Sequence, residues 1–121
     1  MDRIEIERYI EDEYGVEPEH PWETSPTHEV FRHADNRKWF ALVMEVPVEK
    51  LGMEGGGFVD VVNLKCDPLE ARALQEESGF YPAYHMNKRL WISVLLDGSV
   101  PAERVRALID GSFELTQAKR S

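Results

Sequence analysis

The chain contains a single cysteine, Cys66, in 121 residues. No internal disulfide can form, and one chain cannot build a cysteine-based metal cluster. That fits a reducing, cytoplasmic setting. No apolar run approaches the roughly 18 residues that a membrane helix needs, so no membrane partner is expected. The start, Met1-Asp2-Arg3, turns acidic at once and lacks a basic segment followed by an apolar one, so no secretory signal is expected. Positive charge is also scarce, with 14 Lys and Arg against 23 Asp and Glu, a net charge of −9. Residues 1–29 carry ten of those acids against only Arg3 and Arg8, leaving −1 for the other 92 residues. A nucleic-acid binder usually shows a basic footprint, and here such a footprint has to be a local patch working against a repulsive field. Repeats and low-complexity segments are absent too.

What the chain does have is amphipathic patterning, punctuated by Gly and Pro. A length of 121 residues is one domain, large enough to fold without staples, and we assign it to 1–121 with 117–121 expected to fray. Ile6, Ile10 and Tyr14 recur every four residues, which predicts a helix over 2–14 that ends at Gly15. Residues 17–27 hold three prolines and read as a surface loop pinned by Trp22. Residues 29–32 and 37–46 are strands joined by the turn His33–Asn36, a hairpin. In the second strand, alternation places Lys38, Phe40, Leu42, Met44 and Val46 on one face and Trp39, Ala41, Val43 and Glu45 on the other. A glycine-rich loop over 49–57 leads to a strand over 58–65. There Asn63 and Lys65 share a face.

Asp67-Pro68-Leu69-Glu70 is a helix start: a capping carboxylate, proline at the first helical position and an acid where a capping box wants it. This helix is predicted to bury Leu69, Ala73 and Leu74 and to stop at Gly79. Residues 80–88 read as a connector, 89–96 as a strand and Asp97-Gly98 as a turn. A final helix starts at Pro101 with the stripe Val105, Leu108, Ile109 and Phe113. Gly111 weakens it, and the chain is expected to become extended near Glu114. Helices before, between and after strands joined by short turns predict an α+β fold. In it an antiparallel sheet carries N-terminal, middle and C-terminal helices.

Several blocks resemble the MmcQ/YjbR family of small bacterial α/β proteins. They include Val30-Phe31-Arg32-His33, Lys38-Trp39-Phe40-Ala41, Asn63-Leu64-Lys65-Cys66-Asp67-Pro68, Pro82-Ala83-Tyr84-His85-Met86-Asn87-Lys88 and Leu96-Asp97-Gly98. The resemblance runs from about Trp22 to Leu115. It implies the double-wing, CyaY-like fold, and members are commonly labelled predicted DNA-binding proteins. The family brings no catalytic residues to carry over.

Three chemistries compete on these residues. Nucleic-acid binding would use Arg32, Arg37, Lys38, Lys65, Lys88 and Arg89, interleaved with Trp39, Tyr84 and Trp91. Cations neutralise phosphates and aromatic rings stack on bases. The bland alternative is solvated charge beside core aromatics. A pocket for a small anionic ligand, or a contact for a protein partner, would use Asn63, Lys65, Tyr84, His85, Asn87 and Lys88. Lysine supplies a point charge there, and asparagine both a donor and an acceptor. The alternative is a turn at Asn87-Lys88 and a His85 that satisfies a backbone carbonyl. Nucleophilic catalysis by Cys66 with His85, oriented by Asp60 or Asp67, ranks last, because a small thiol after an apolar strand is usually buried. His20, His28, His33 and His85 show no tight ligand spacing. The acidic first helix is similar to the iron-binding ridge of frataxins only through fold, so solvated acids are its default reading. The expectation is therefore a non-enzymatic DNA-binding or regulatory module without metal or cofactor, with the small-anion or protein-interaction module as the alternative.

Overall fold

The computed structural model describes residues 1–118. A five-stranded antiparallel sheet carries three helices on one face, as the patterning predicts. The elements are α1 (Arg3–Tyr14), β1 (Glu29–Arg32), β2 (Trp39–Pro47), a one-turn 3-10 helix (Val48–Leu51), β3 (Phe58–Lys65), α2 (Pro68–Leu74), β4 (Phe80–Pro82), β5 (Trp91–Leu95) and α3 (Ala102–Thr116). The strand order is β1-β2-β3-β5-β4. The predicted fraying concerns residues 117–121. Of these, Gln117 and Ala118 follow the last helical residue, and 119–121 lie outside the described residues.

α1 opens on a capping box, with Asp2 accepting from the Glu5 backbone N–H while Glu5 reaches back to Asp2. Gly15 closes it in the left-handed conformation. Ile6 and Ile10 are fully buried against Phe31, Phe40, Val62 and Ile92 of the sheet, and Ala71, Leu74, Val105 and Ile109 of the other helices complete the same cluster. The opposite sheet face presents Val30, Leu42, Met44, Val46 and Val61. Among the described residues no α-helix lies there; Trp22, Met53, Tyr84 and Met86 from loops, Leu51 from the 3-10 turn and Tyr81 from the short edge strand pack over it.

The structure corrects four sequence expectations. Strict alternation in β2 fails at its start. Arg32 pairs with Trp39 but Phe31 with Ala41, so a bulge adds Phe40 as an extra residue. Phe40 then joins the helix-covered core, and Trp39 packs over the other face with Leu42 and Met44. α2 ends at Leu74, five residues before Gly79. Its inward residues are Ala71 and Leu74, whereas Leu69 is 81 % exposed and Ala73 is exposed. Asp67 accepts from the backbone N–H groups of Leu69 and Glu70, as a cap should, but that geometry aims Leu69 outward. The segment after Gly79 begins with a genuine edge strand, β4, paired to β5 from Phe80↔Val94 to Pro82↔Ile92.

The fourth correction concerns α3, which passes through Gly111 without a break. Ser112 explains why. Its hydroxyl donates to the Phe40 carbonyl and accepts from the Lys65 N–H at 2.9 Å, filling the gap that the bulge leaves between β2 and β3. One turn on, Thr116 contacts His33 Nε2 at 2.7 Å, and its carbonyl accepts from Asn36 Nδ2 at 2.9 Å. The helix end is thus satisfied by the β1–β2 turn.

Candidate functional site

The sheet register decides where the candidate residues go. Arg32 faces Trp39, and Lys65 at the end of β3 faces Trp91 at the start of β5. The turn 33–38 and the loop 83–90 therefore emerge at one end of the sheet, on either side of Lys65. All six cations predicted for nucleic acid lie at that end. Strands sit about 4.8 Å apart, so β1 and β4 bracket roughly 19 Å.

The six are not equally free. Glu19 forms an isolated bridge with Val30, which adds it to the outer edge of β1. Its carboxylate lies 3.2 Å from Arg32 Nε and 3.1 Å from Arg37 Nη2. Arg32 also stands 5.6 Å over the Trp39 ring, a cation–π contact. Lys38 and Arg89 are exposed, and Arg89 lines a cleft with Lys88, Arg72 and Gln75. Arg72 is missing from the sequence reading because helical periodicity does not show which α2 residue faces the 83–90 loop. Among the aromatics, Trp91 is only 9 % exposed and is a packing residue.

The second predicted cluster is split. Asn63 is fully buried and pairs across the sheet with Ser93. Its amide donates to the Tyr84 carbonyl at 2.9 Å and its oxygen accepts from the Ser93 hydroxyl, which in turn accepts from the Tyr84 N–H at 3.0 Å. This closed network clamps Tyr84 over the loop-covered face. Asn63 holds the site rather than lining it. Lys88 Nζ donates to the Ala83 carbonyl at 2.9 Å, which ties the two ends of the loop, and Asn87 accepts from the Arg89 N–H at 2.9 Å to shape the turn. Lys65 lines the groove between α2 and α3 with Cys66, away from His85.

His85 stands at the centre of what remains. It is exposed, has φ of +57° and lies tilted against Tyr84 with ring centroids 4.0 Å apart. Histidine tolerates the left-handed region better than most residues, and the clamp holds the backbone of Tyr84 immediately before it. Two clefts meet at this side chain. One, of about 410 Å³, is lined by Lys50, Leu51, Tyr81, Tyr84 and Lys88. The other, of about 320 Å³, is lined by Trp22, His28, Trp39, Met44 and Met86.

Cys66 is buried, and burial followed by the nearby Glu70 and Asp67 charges pushes its thiol pKa up to about 11, the reverse of an activated nucleophile. Among the described residues, no group of three or more His, Cys, Asp or Glu could hold a metal ion, and no helix is long and apolar enough to cross a membrane.

A family model described as YjbR matches residues 11–115. The uncharacterized protein YyaQ of Bacillus subtilis (strain 168) is 39 % identical over 117 residues, covering 97 % of this chain and 99 % of that protein. Uncharacterized protein YjbR of Escherichia coli (strain K12) is 41 % identical over 54 residues, 44 % of this chain and 46 % of that protein. A crystal structure of a protein from Pseudomonas syringae superposes with a TM-score of 0.95 at 47 % identity, covering 97 % of this chain and all of that one. A Deinococcus radiodurans protein superposes with a TM-score of 0.73 at 27 % identity, over 98 % of this chain and 81 % of that one.

Proposed function

The chain belongs to the YjbR family, and on that premise we propose that it is a non-enzymatic module that binds nucleic acid along one end of its sheet. The observation that carries this reading is the register, which brings the 33–38 turn, Lys65 and the 83–90 loop to one end. A row of cations about 19 Å long can neutralise several phosphates, since duplex DNA carries one charge per roughly 1.7 Å. Lys38, Lys65, Lys88 and Arg89 supply the contacts, with Arg72 beside them. Glu19 works against binding, because it already neutralises Arg32 and Arg37. A buried thiol with a raised pKa supports the non-enzymatic part of the reading.

The test is fluorescence anisotropy with a mixed-sequence duplex at low salt. Four phosphate contacts predict a slope of about −3 to −4 in log K against log salt. Arg89→Met and Lys38→Met should each weaken binding and flatten the slope by about one. Glu19→Gln should strengthen binding by freeing two arginines. Absence of binding at low salt for both the parent protein and Glu19→Gln would sink the reading.

A further inference from the structure

The two clefts that meet at His85 share only Lys88 with the phosphate row. They differ in chemistry. The smaller has apolar and aromatic walls: Trp22 and Trp39 stand edge to face with ring centroids 5.7 Å apart, and Met44 and Met86 contribute thioethers. Its neighbour carries two ammonium groups, Lys50 and Lys88, beside Tyr81 and Tyr84. Lys88 spends one donor on the Ala83 carbonyl, and an ammonium has three. Each volume, about 320 and 410 Å³, falls in the range of small-ligand sites.

His85 is the odd residue. Its backbone lies at φ +57°, where glycine would be cheaper, and the side chain is exposed and buries no core. The backbone on either side of it is nevertheless held, at Tyr84 by Asn63 and Ser93 and beyond it by the Lys88–Ala83 tie. An imidazole carried between an aromatic cleft and a cationic cleft, on a backbone held on both sides, suits a ligand that spans both.

We propose that the joined clefts bind a small molecule made of a planar aromatic ring and an anionic group, of the nucleoside monophosphate class. The ring lies against Trp39, Trp22 and Met86, the anion lies between Lys50 and Lys88, and His85 bridges them. Two of the three tryptophans line the ring site, so intrinsic fluorescence reports its filling.

The experiment is a fluorescence titration with adenosine 5′-monophosphate, adenosine and inorganic phosphate in parallel. The monophosphate should quench saturably, adenosine should bind at least about tenfold more weakly, and phosphate alone should not quench. A charge-assisted hydrogen bond carries about that factor. Lys50→Met should bring the monophosphate down to the adenosine value and leave adenosine unchanged. His85→Gly suits its backbone conformation and should keep or raise the melting temperature while lowering monophosphate affinity about tenfold. No saturable quench up to roughly 10 mM, a common millimolar weak-binding limit, would overturn the proposal. So would equal binding of adenosine and its monophosphate, or an unchanged affinity in His85→Gly. Duplex binding should survive His85→Gly, which separates this site from the phosphate row.

Discussion

A Cβ placed on Gly79 would lie 2.6 Å from Val100 Cγ2, and φ there is +90°. Backbone and packing therefore demand the same residue. Gly79→Ala should destabilise the protein by about 1–3 kcal/mol in chemical denaturation, through a left-handed alanine and a displaced Val100. Glu29 is the other residue whose surroundings set a measurable property. It is 2 % exposed, 3.2 Å from Arg3 and 3.4 Å from His20. Burial, followed by the Glu7 carboxyl beside it, raises its pKa to about 7, with Arg3 opposing. The folded chain therefore holds a proton that the unfolded chain releases near pH 4.5. Stability from this group is complete below about 4.5 and is lost as pH rises through about 7. The melting temperature should fall from pH 5 to pH 7.5, and Glu29→Gln should flatten that fall. A Glu29→Gln variant with the parent's slope would assign the pH dependence elsewhere. Neither effect is legible in the sequence. Gly79 reads there as a helix stop, and Glu29 as one acid among ten.

Among the elements, α3 shows how tertiary contacts override propensity. Glycine in a helix interior costs about 1 kcal/mol against alanine, and the sequence predicts that the helix fails near it. Ser112 and Thr116, both buried, hold the last turns to Phe40, Lys65 and His33. Gly111 itself has no atom within 4 Å of a built Cβ. Gly111→Ala should therefore raise stability by about 0.5–1 kcal/mol, measured by urea unfolding. A loss instead would mean that the α2–α3 groove needs the space that the glycine leaves open. Strands β1 and β3 match their predicted limits because alternation and flanking turns are local signals. The β2 bulge is invisible to alternation, and the serine that satisfies the backbone groups beside it sits on a helix more than 70 residues away in sequence.

Across the whole molecule the two sheet faces differ in how they are closed. Three α-helices seal one, while loops, a 3-10 turn and a short edge strand cover the other. The Asn63–Ser93–Tyr84 network fastens that loop cover to the central strands. Asn63→Ala would strand the Ser93 hydroxyl and the Tyr84 carbonyl, at about 1–3 kcal/mol for each buried unsatisfied group. The expected result is a loss of about 2–4 kcal/mol in global stability. Hydrogen exchange should speed up most at 83–88 and little in α1 and α3. Uniform acceleration over the chain would show that the network supports the whole fold rather than one layer.

The fold class, the end of α1 at Gly15, the start of α2 at Asp67, the limits of β1 and β3 and the family were all legible in the sequence, because periodicity, capping residues and turn chemistry act over a few neighbouring positions. The sequence also identified Tyr84, His85 and Lys88 as a block worth attention. Tertiary structure alone decided what those residues do. It gave Asn63 to a buried clamp, Lys65 to a separate groove, and Arg32 and Arg37 to Glu19. It also joined His85 to Trp22, Trp39 and Lys50, residues 35 to 63 positions away in the chain. The reason is physical. Which charges remain free, and which side chains share a cleft, depends on long-range pairing and burial, and neither leaves a periodic trace in the sequence.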